Sequence, residues 1–118
     1  MELPVQSDLV HQFRRHAADA VDLLKALASQ PRLLVLCYLA EVGEMSAGDL
    51  TDKVGLSQSA LSQHLAKLRE EGLVAIRKQA QTVFYRVCDP KAEQMLSLLH
   101  DLFCPELGQK QIIATKKG

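Results

Sequence analysis

The sequence predicts a mainly α-helical chain carrying one small β-hairpin, in the order α-α-α-α-β-β-α. Three observations carry that prediction. Apolar residues recur at three- and four-residue steps through most of the chain, the spacing that lines one face of a helix. One stretch, Leu73–Val87, breaks the rhythm: "LVAIRK" and "TVFYRV" flank "QAQ", a composition of two strands and a polar turn. Pro31, Gly43, Gly55, Gly72 and Pro90 fall between the periodic segments, where helices start and stop.

The first helix is expected from Ser7 to about Ser29, with Val10, Phe13, Ala17, Val21 and Leu24 on one face. Pro31 suits the first position of the second helix, where its missing N–H costs nothing. That helix, "PRLLVLCYLAEV", is apolar nearly all round and is expected to be buried; Gly43 ends it. Ser46 and Asp49 have capping-box spacing before a short third helix, Ala47 to Val54. Gly55 fits a left-handed stop. Ser57 is the N-cap expected for a fourth helix running to about Glu71, stopped by Gly72. After the hairpin, Pro90 opens a strongly apolar last helix with Met95, Leu96, Leu98, Leu99, Leu102 and Phe103. The tail, residues 108–118, is expected to be flexible.

A chain of 118 residues, 47% hydrophobic and 24% charged, fits one soluble domain, residues 1–118 with a core of about 15–104. No apolar run approaches the ~20 residues of a membrane span. "MELPVQSDLV" lacks the basic start and apolar core of a signal peptide, so a cytoplasmic location without membrane contact is expected. An odd, low cysteine count (Cys37, Cys88 and Cys104) argues against a structural disulfide framework. Net charge is zero but unevenly spread. Residues 1–56 hold five Lys/Arg against eight Asp/Glu, and residues 57–91 hold six against three. The positive excess falls on the fourth helix and the hairpin.

That fourth helix has two distinct faces. Leu61, Leu65 and Leu68 line one; Ser59, Ser62, Gln63 and Ala66 line another. A solvated face ordinarily carries Glu and Lys. A small, polar, nearly uncharged face can enter a major groove, where hydroxyls and amides hydrogen-bond base edges. With the short helix and Gly turn before it, the segment reads as helix-turn-helix. The hairpin beside it is a wing. The first and last helices expose more apolar surface than one small domain covers, and a symmetric homodimer through them is the simple solution. Such a dimer presents two reading helices to a pseudo-palindromic site on double-stranded DNA.

"LLKALASQPRLLVL", "LSQSALSQHLAKLREEGLV" and "FYRV" resemble the ArsR/SmtB family of winged helix-turn-helix regulators over about residues 15–104. The resemblance implies a dimeric DNA-binding regulator, not an enzyme, whose operator affinity changes with an inducer. Carried onto this chain, the DNA-binding set is Ser57, Gln58, Ser59, Ser62, Gln63 and His64 on the fourth helix, with Arg77, Lys78 and Gln81 on the wing. His64 is expected to pack or touch phosphate rather than read bases.

The metal sites of that family are broken here. Where one class carries a C-x-C before the helix-turn-helix, this chain has "MSAGDL". In the other class Asp89 fits the first ligand position, but Lys91, Leu102 and Pro105 occupy the rest, and a lysine ammonium has no lone pair to offer. No metal and no cofactor are expected. His100 and Asp101 read as exposed polar residues near a dimer edge.

Cysteine chemistry remains. Cys37, within "LLVLCYLA", reads on its own as a buried small hydrophobe, and Cys88 as incidental. The chain is most similar to the metal-independent HlyU-, BigR- and YgaV-type branch of the family, which carries one cysteine in the second helix and one near the end of the last. Cys37 and Cys104 match those positions. The resemblance implies a redox- and sulfur-sensing pair that reactive sulfur species or oxidants bridge, with release of DNA. The alternatives are a sensor of a thiophilic metal or arsenical, and an activator or antirepressor without a bound small molecule.

Overall fold

Four short polar side chains start four helices. Ser29, Ser46 and Ser57 Oγ accept from the backbone N–H of Arg32, Asp49 and Ala60 at 3.5, 3.2 and 3.1 Å, and Asp89 Oδ1 accepts from Lys91 N–H at 3.3 Å. Each satisfies a donor that the first helical turn leaves open. A computed structural model describes the backbone of residues 3–104 and the side chains of residues 8–104. In it the chain runs α1 (Leu3–Leu27), α2 (Gln30–Val42), β1 (Met45–Ser46), α3 (Ala47–Val54), α4 (Gln58–Glu70), β2 (Val74–Gln79), β3 (Thr82–Val87) and α5 (Pro90–Phe103). The mainly α order with a hairpin wing is the expected one. The expectation of a flexible tail lies outside the described residues.

Three details differ from the sequence reading. α1 starts at Leu3, before Ser7, and ends at Leu27, because Ser29 is spent on capping α2. α2 is not buried all round: Val35, Leu36 and Leu39 are buried, whereas Leu34 and Val42 face outward. β1 has no counterpart in the expected order. It pairs antiparallel with β3, Met45 opposite Tyr85 and Ser46 opposite Phe84, and makes a three-stranded sheet in the order β1-β3-β2. Two residues are too short for any alternation to be visible, and the partner strand decides their conformation.

The core is leucine-rich. Leu36 and Leu39 of α2, Leu50 of α3, Leu61, Leu65 and Leu68 of α4, and Leu96 of α5 are buried together with Val35, Val74 and Ala92. α3 and α4 are thereby fixed against each other across Gly55, whose φ of 72° and ψ of 23° are left-handed, a conformation glycine adopts without steric penalty.

The wing turns in two residues, Ala80 and Gln81, since Gln79 still pairs with Thr82. Ala80 sits at φ 54°, where a Cβ costs ~1–2 kcal/mol. Ala80→Gly is expected to raise stability by about 0.5–1 kcal/mol, the relief exceeding the extra entropy of the unfolded glycine. Urea unfolding of the two proteins checks this.

Candidate nucleic-acid interface and dithiol groove

Burial of Leu61, Leu65 and Leu68 dictates what α4 shows to solvent. With that stripe against the core, Ser59, Ser62, Gln63 and Ala66 are exposed on another face, and Ser57 and Gln58 are exposed at its start. Ser57 Oγ caps the helix and lies 3.4 Å from Ser59 Oγ. His64 is half-buried at the edge of the leucine stripe. Over its first turns the exposed face of α4 is thus a surface of hydroxyls and amides, with its one acidic residue, Glu70, at the far end of the helix, a chemistry suited to a major groove.

On the wing, Lys78 and Gln81 are exposed. Arg77 is engaged. Its Nε and Nη2 donate to Glu44 Oε2 and Oε1 at 3.0 and 2.8 Å, and its Nη1 donates to Gln79 Oε1 at 2.8 Å. The guanidinium also lies 4.7 Å from the centre of the Phe84 ring, within cation–π range. The hydrogen bond from Arg77, aided by the charges of Arg77 and Arg86, holds the Glu44 carboxyl below the usual carboxylate range. This fork-to-fork pair ties the segment after α2 to the wing. Sequence reasoning missed Glu44 because 33 residues separate it from Arg77 and only the β1–β3–β2 pairing brings them together.

The thiols fall into two places. Cys88 is exposed, and its Sγ donates to Gly72 O at 3.4 Å, against the turn after α4. Cys37 of α2 and Cys104 at the end of α5 are both half-buried free thiols, and both line one groove of about 570 Å³ between those helices. Its walls are mostly apolar: Leu33, Leu34, Tyr38, Leu99 and Phe103. Burial, then the Cys104 and Glu41 charges, push the Cys37 thiol above the ordinary thiol range. Folding therefore holds that proton more tightly than the unfolded chain does. The resulting stability is present below the unfolded thiol pKa and is lost as pH rises through the folded one. Between roughly pH 8 and 10, around ordinary thiol ionisation, the urea midpoint of the wild type is expected to fall further than that of Cys37→Ala.

His100 corrects the sequence reading. It is not fully exposed: its side chain is 27% exposed, with Nε2 3.9 Å from Glu41 Oε2 across the α2–α5 contact. Asp101 beside it is exposed. Asp89, which fits a metal-ligand position in the sequence, caps α5 instead. Among the described residues no group of three or more His, Cys, Asp or Glu is arranged to hold a metal ion, and no single helix is long and apolar enough to cross a membrane.

Large apolar side chains remain uncovered on α1 and α5. Leu9, Val10, Phe13, Val21 and Leu24 are exposed on the first, and Leu98, Leu102 and Phe103 on the second, with Phe103 at 77%.

Residues 29–75 match the family described as bacterial regulatory protein, arsR family. Over 95 residues the chain is 50% identical to the transcriptional activator HlyU of Vibrio cholerae serotype O1, covering 80% of this chain and 87% of that protein. It is 39% identical, over 80% of its length and 82% of the other's, to the biofilm growth-associated repressor of Xylella fastidiosa. The solved structure of reduced HlyU from Vibrio cholerae N16961 superimposes with a TM-score of 0.76 at 50% identity, over 79% of this chain and 97% of that one.

Proposed function

The chain belongs to the ArsR family of bacterial DNA-binding regulators, and from that premise we propose a homodimeric regulator whose grip on its operator is set by the Cys37–Cys104 thiol pair. Regulation of transcription, rather than catalysis, follows from the family itself. The direction of regulation does not, since similar proteins are named both activator and repressor.

The observation that carries the proposal is that both thiols line one groove, between the helix that leads into the helix-turn-helix and the helix with the most exposed apolar end. Exposed apolar faces on α1 and α5 support the dimer, because contiguous patches of that kind mark interaction sites. A second copy buries them and gives two α4 faces related by a twofold axis. Ser57, Gln58, Ser59, Ser62, Gln63 and His64 then face DNA, with Lys78 and Gln81 of the wing beside them. Arg77 contributes by holding the wing in place through Glu44.

The inducer is a reactive sulfur species or an oxidant. With a persulfide R–S–SH, one thiolate attacks the outer sulfur, giving Cys–S–SH and RS⁻. The second thiolate attacks the protein-bound sulfur of that persulfide, closing the disulfide and releasing HS⁻. The two thiol protons end on RS⁻ and HS⁻, and the sulfane sulfur is reduced to sulfide. The bridge ties α2 to α5. α2 leads through β1 directly into α3, and β1 pairs with the wing, so a shift of α2 reaches both parts of the DNA-facing surface. A strain of ~1.4 kcal/mol in the DNA-bound form lowers affinity about tenfold.

Anisotropy of labelled promoter DNA tests the proposal, with reduced and with persulfide-treated protein in the same buffer. Weaker binding after treatment, restored by dithiothreitol, is expected; equal binding in both states refutes the switch. Sedimentation of the reduced protein is expected to give twice the chain mass.

A further inference from the structure

We propose that His100 is the proton acceptor for the Cys37 thiol, with Glu41 holding the imidazolium that results; the assignment rests on the reading of Cys37 as a reacting thiol. Two cavities meet at this point. One, of about 210 Å³, is lined by Cys37, Glu41, Glu93 and His100 among others; the dithiol groove is lined by Cys37, Glu41, His100 and Cys104. Cys37, Glu41 and His100 are the three residues common to both, and neither cavity is lined by a lysine or arginine.

Cys37 needs a base. Its thiol is half-buried and flanked by a carboxylate, which disfavours a second negative charge. An imidazole titrates near neutral pH and is matched to that task. Nε2 of His100 is shielded from solvent and has no hydrogen-bond partner, a state that asks for an explanation in a buried polar atom. It lies 3.9 Å from Glu41 Oε2, while Nδ1 lies 3.9 Å from Asp101 Oδ1. Asp101 is 75% exposed, giving the ring a polar route to water. The carboxylate of Glu41, which opposes a thiolate, favours an imidazolium, so moving the proton from sulfur to nitrogen converts a repulsion into an attraction. Nucleophile, base and carboxylate then have the roles of an activated-thiol triad. The backbone completes the link, for Cys104 N–H donates to His100 O at 2.8 Å, setting the second thiol one turn beyond the base.

The titratable groups lining the two cavities with His100 are Cys37, Tyr38 and Glu41 of α2 and Glu93 and Cys104 from α5 and its end, and Asp101 lies 3.9 Å from Nδ1. In the step, Cys37 S–H gives its proton to His100 as the sulfur forms its new S–S bond. The imidazolium returns that proton to the departing RS⁻ or HS⁻.

The test is the pH profile of two reactions in the wild type and in His100→Gln: disulfide closure after addition of cysteine persulfide, and alkylation of Cys37 by iodoacetamide in a Cys104→Ala background. The wild type is expected to show two rises, one that depends on the His100 imidazole and a second, at higher pH, where the thiol ionises directly. His100→Gln is expected to lose the first rise, react at least ~10-fold more slowly near neutrality, and converge on the wild type at alkaline pH. Slowing by the same factor at every pH, or an unchanged profile, overturns the assignment. His100→Asn provides the same comparison if Gln perturbs folding, judged by circular dichroism and by the DNA affinity of the reduced protein. A wild type that never bridges but keeps a two-step alkylation profile sinks the dithiol reading and leaves His100 as the base of Cys37.

Discussion

Gln63→Glu is expected to weaken promoter binding at least ~100-fold while leaving the fold intact. Gln63 lies on the exposed face of α4, opposite the buried Leu61, Leu65 and Leu68. Losing an amide contact to a base costs ~1–3 kcal/mol, and a new carboxylate facing the phosphates adds repulsion. In a dimer the change acts in both half-sites. Exposed substitutions remote from caps and packing ordinarily shift stability by about 0.5 kcal/mol or less, so the urea midpoint is expected to stay put. Gln63→Ala should fall between, losing the specific contact without the repulsion. Anisotropy with promoter DNA and with scrambled DNA separates the two terms. Specific binding falls with both variants, and non-specific binding falls mainly with glutamate. Unchanged preference for the promoter in Gln63→Ala rules out base reading by this residue.

Cys37→Ser is expected to abolish the response to persulfide or oxidant entirely, with reduced-state DNA affinity within about twofold of wild type, a difference of only ~0.4 kcal/mol. Serine is close in size to cysteine, and the half-buried site loses little packing. What it loses is the sulfur that closes the bridge. Cys104→Ser has the same consequence for bridging, because either partner is indispensable. Cys88→Ser is expected to respond normally, since its thiol donates to Gly72 O and does not line the groove. A Cys37→Ser protein that still releases DNA on treatment excludes the dithiol mechanism, whatever else the thiols do.

Features encoded within a few residues were legible in the sequence. Ser46 and Ser57 cap the helices that follow them, Gly55 makes the left-handed turn, and the leucine spacing of α4 gives its buried face and hence its exposed one. Features that depend on which distant elements touch were not. β1 exists because β3 offers it an edge. Arg77 is a free wing cation when read in sequence, and a strut once Glu44 is brought to it. His100 is one more polar residue on an apolar helix until α2 crosses α5 and sets Glu41 opposite its ring. Cys37 looks like a core hydrophobe in "LLVLCYLA" because six of its seven neighbours there are apolar without qualification. Only the packed helices show that its own position opens onto the groove shared with Cys104.

The most direct test reads covalent state and DNA affinity in one sample. Wild-type protein is treated anaerobically with cysteine persulfide, and its intact mass, its peptide map and its affinity for its own promoter are measured together. The expected result is a Cys37–Cys104 linkage, direct or through added sulfur, with affinity lowered about tenfold or more and both changes reversed by dithiothreitol. A complete Cys37–Cys104 bridge with undiminished affinity, or lost affinity with both thiols free, contradicts the account.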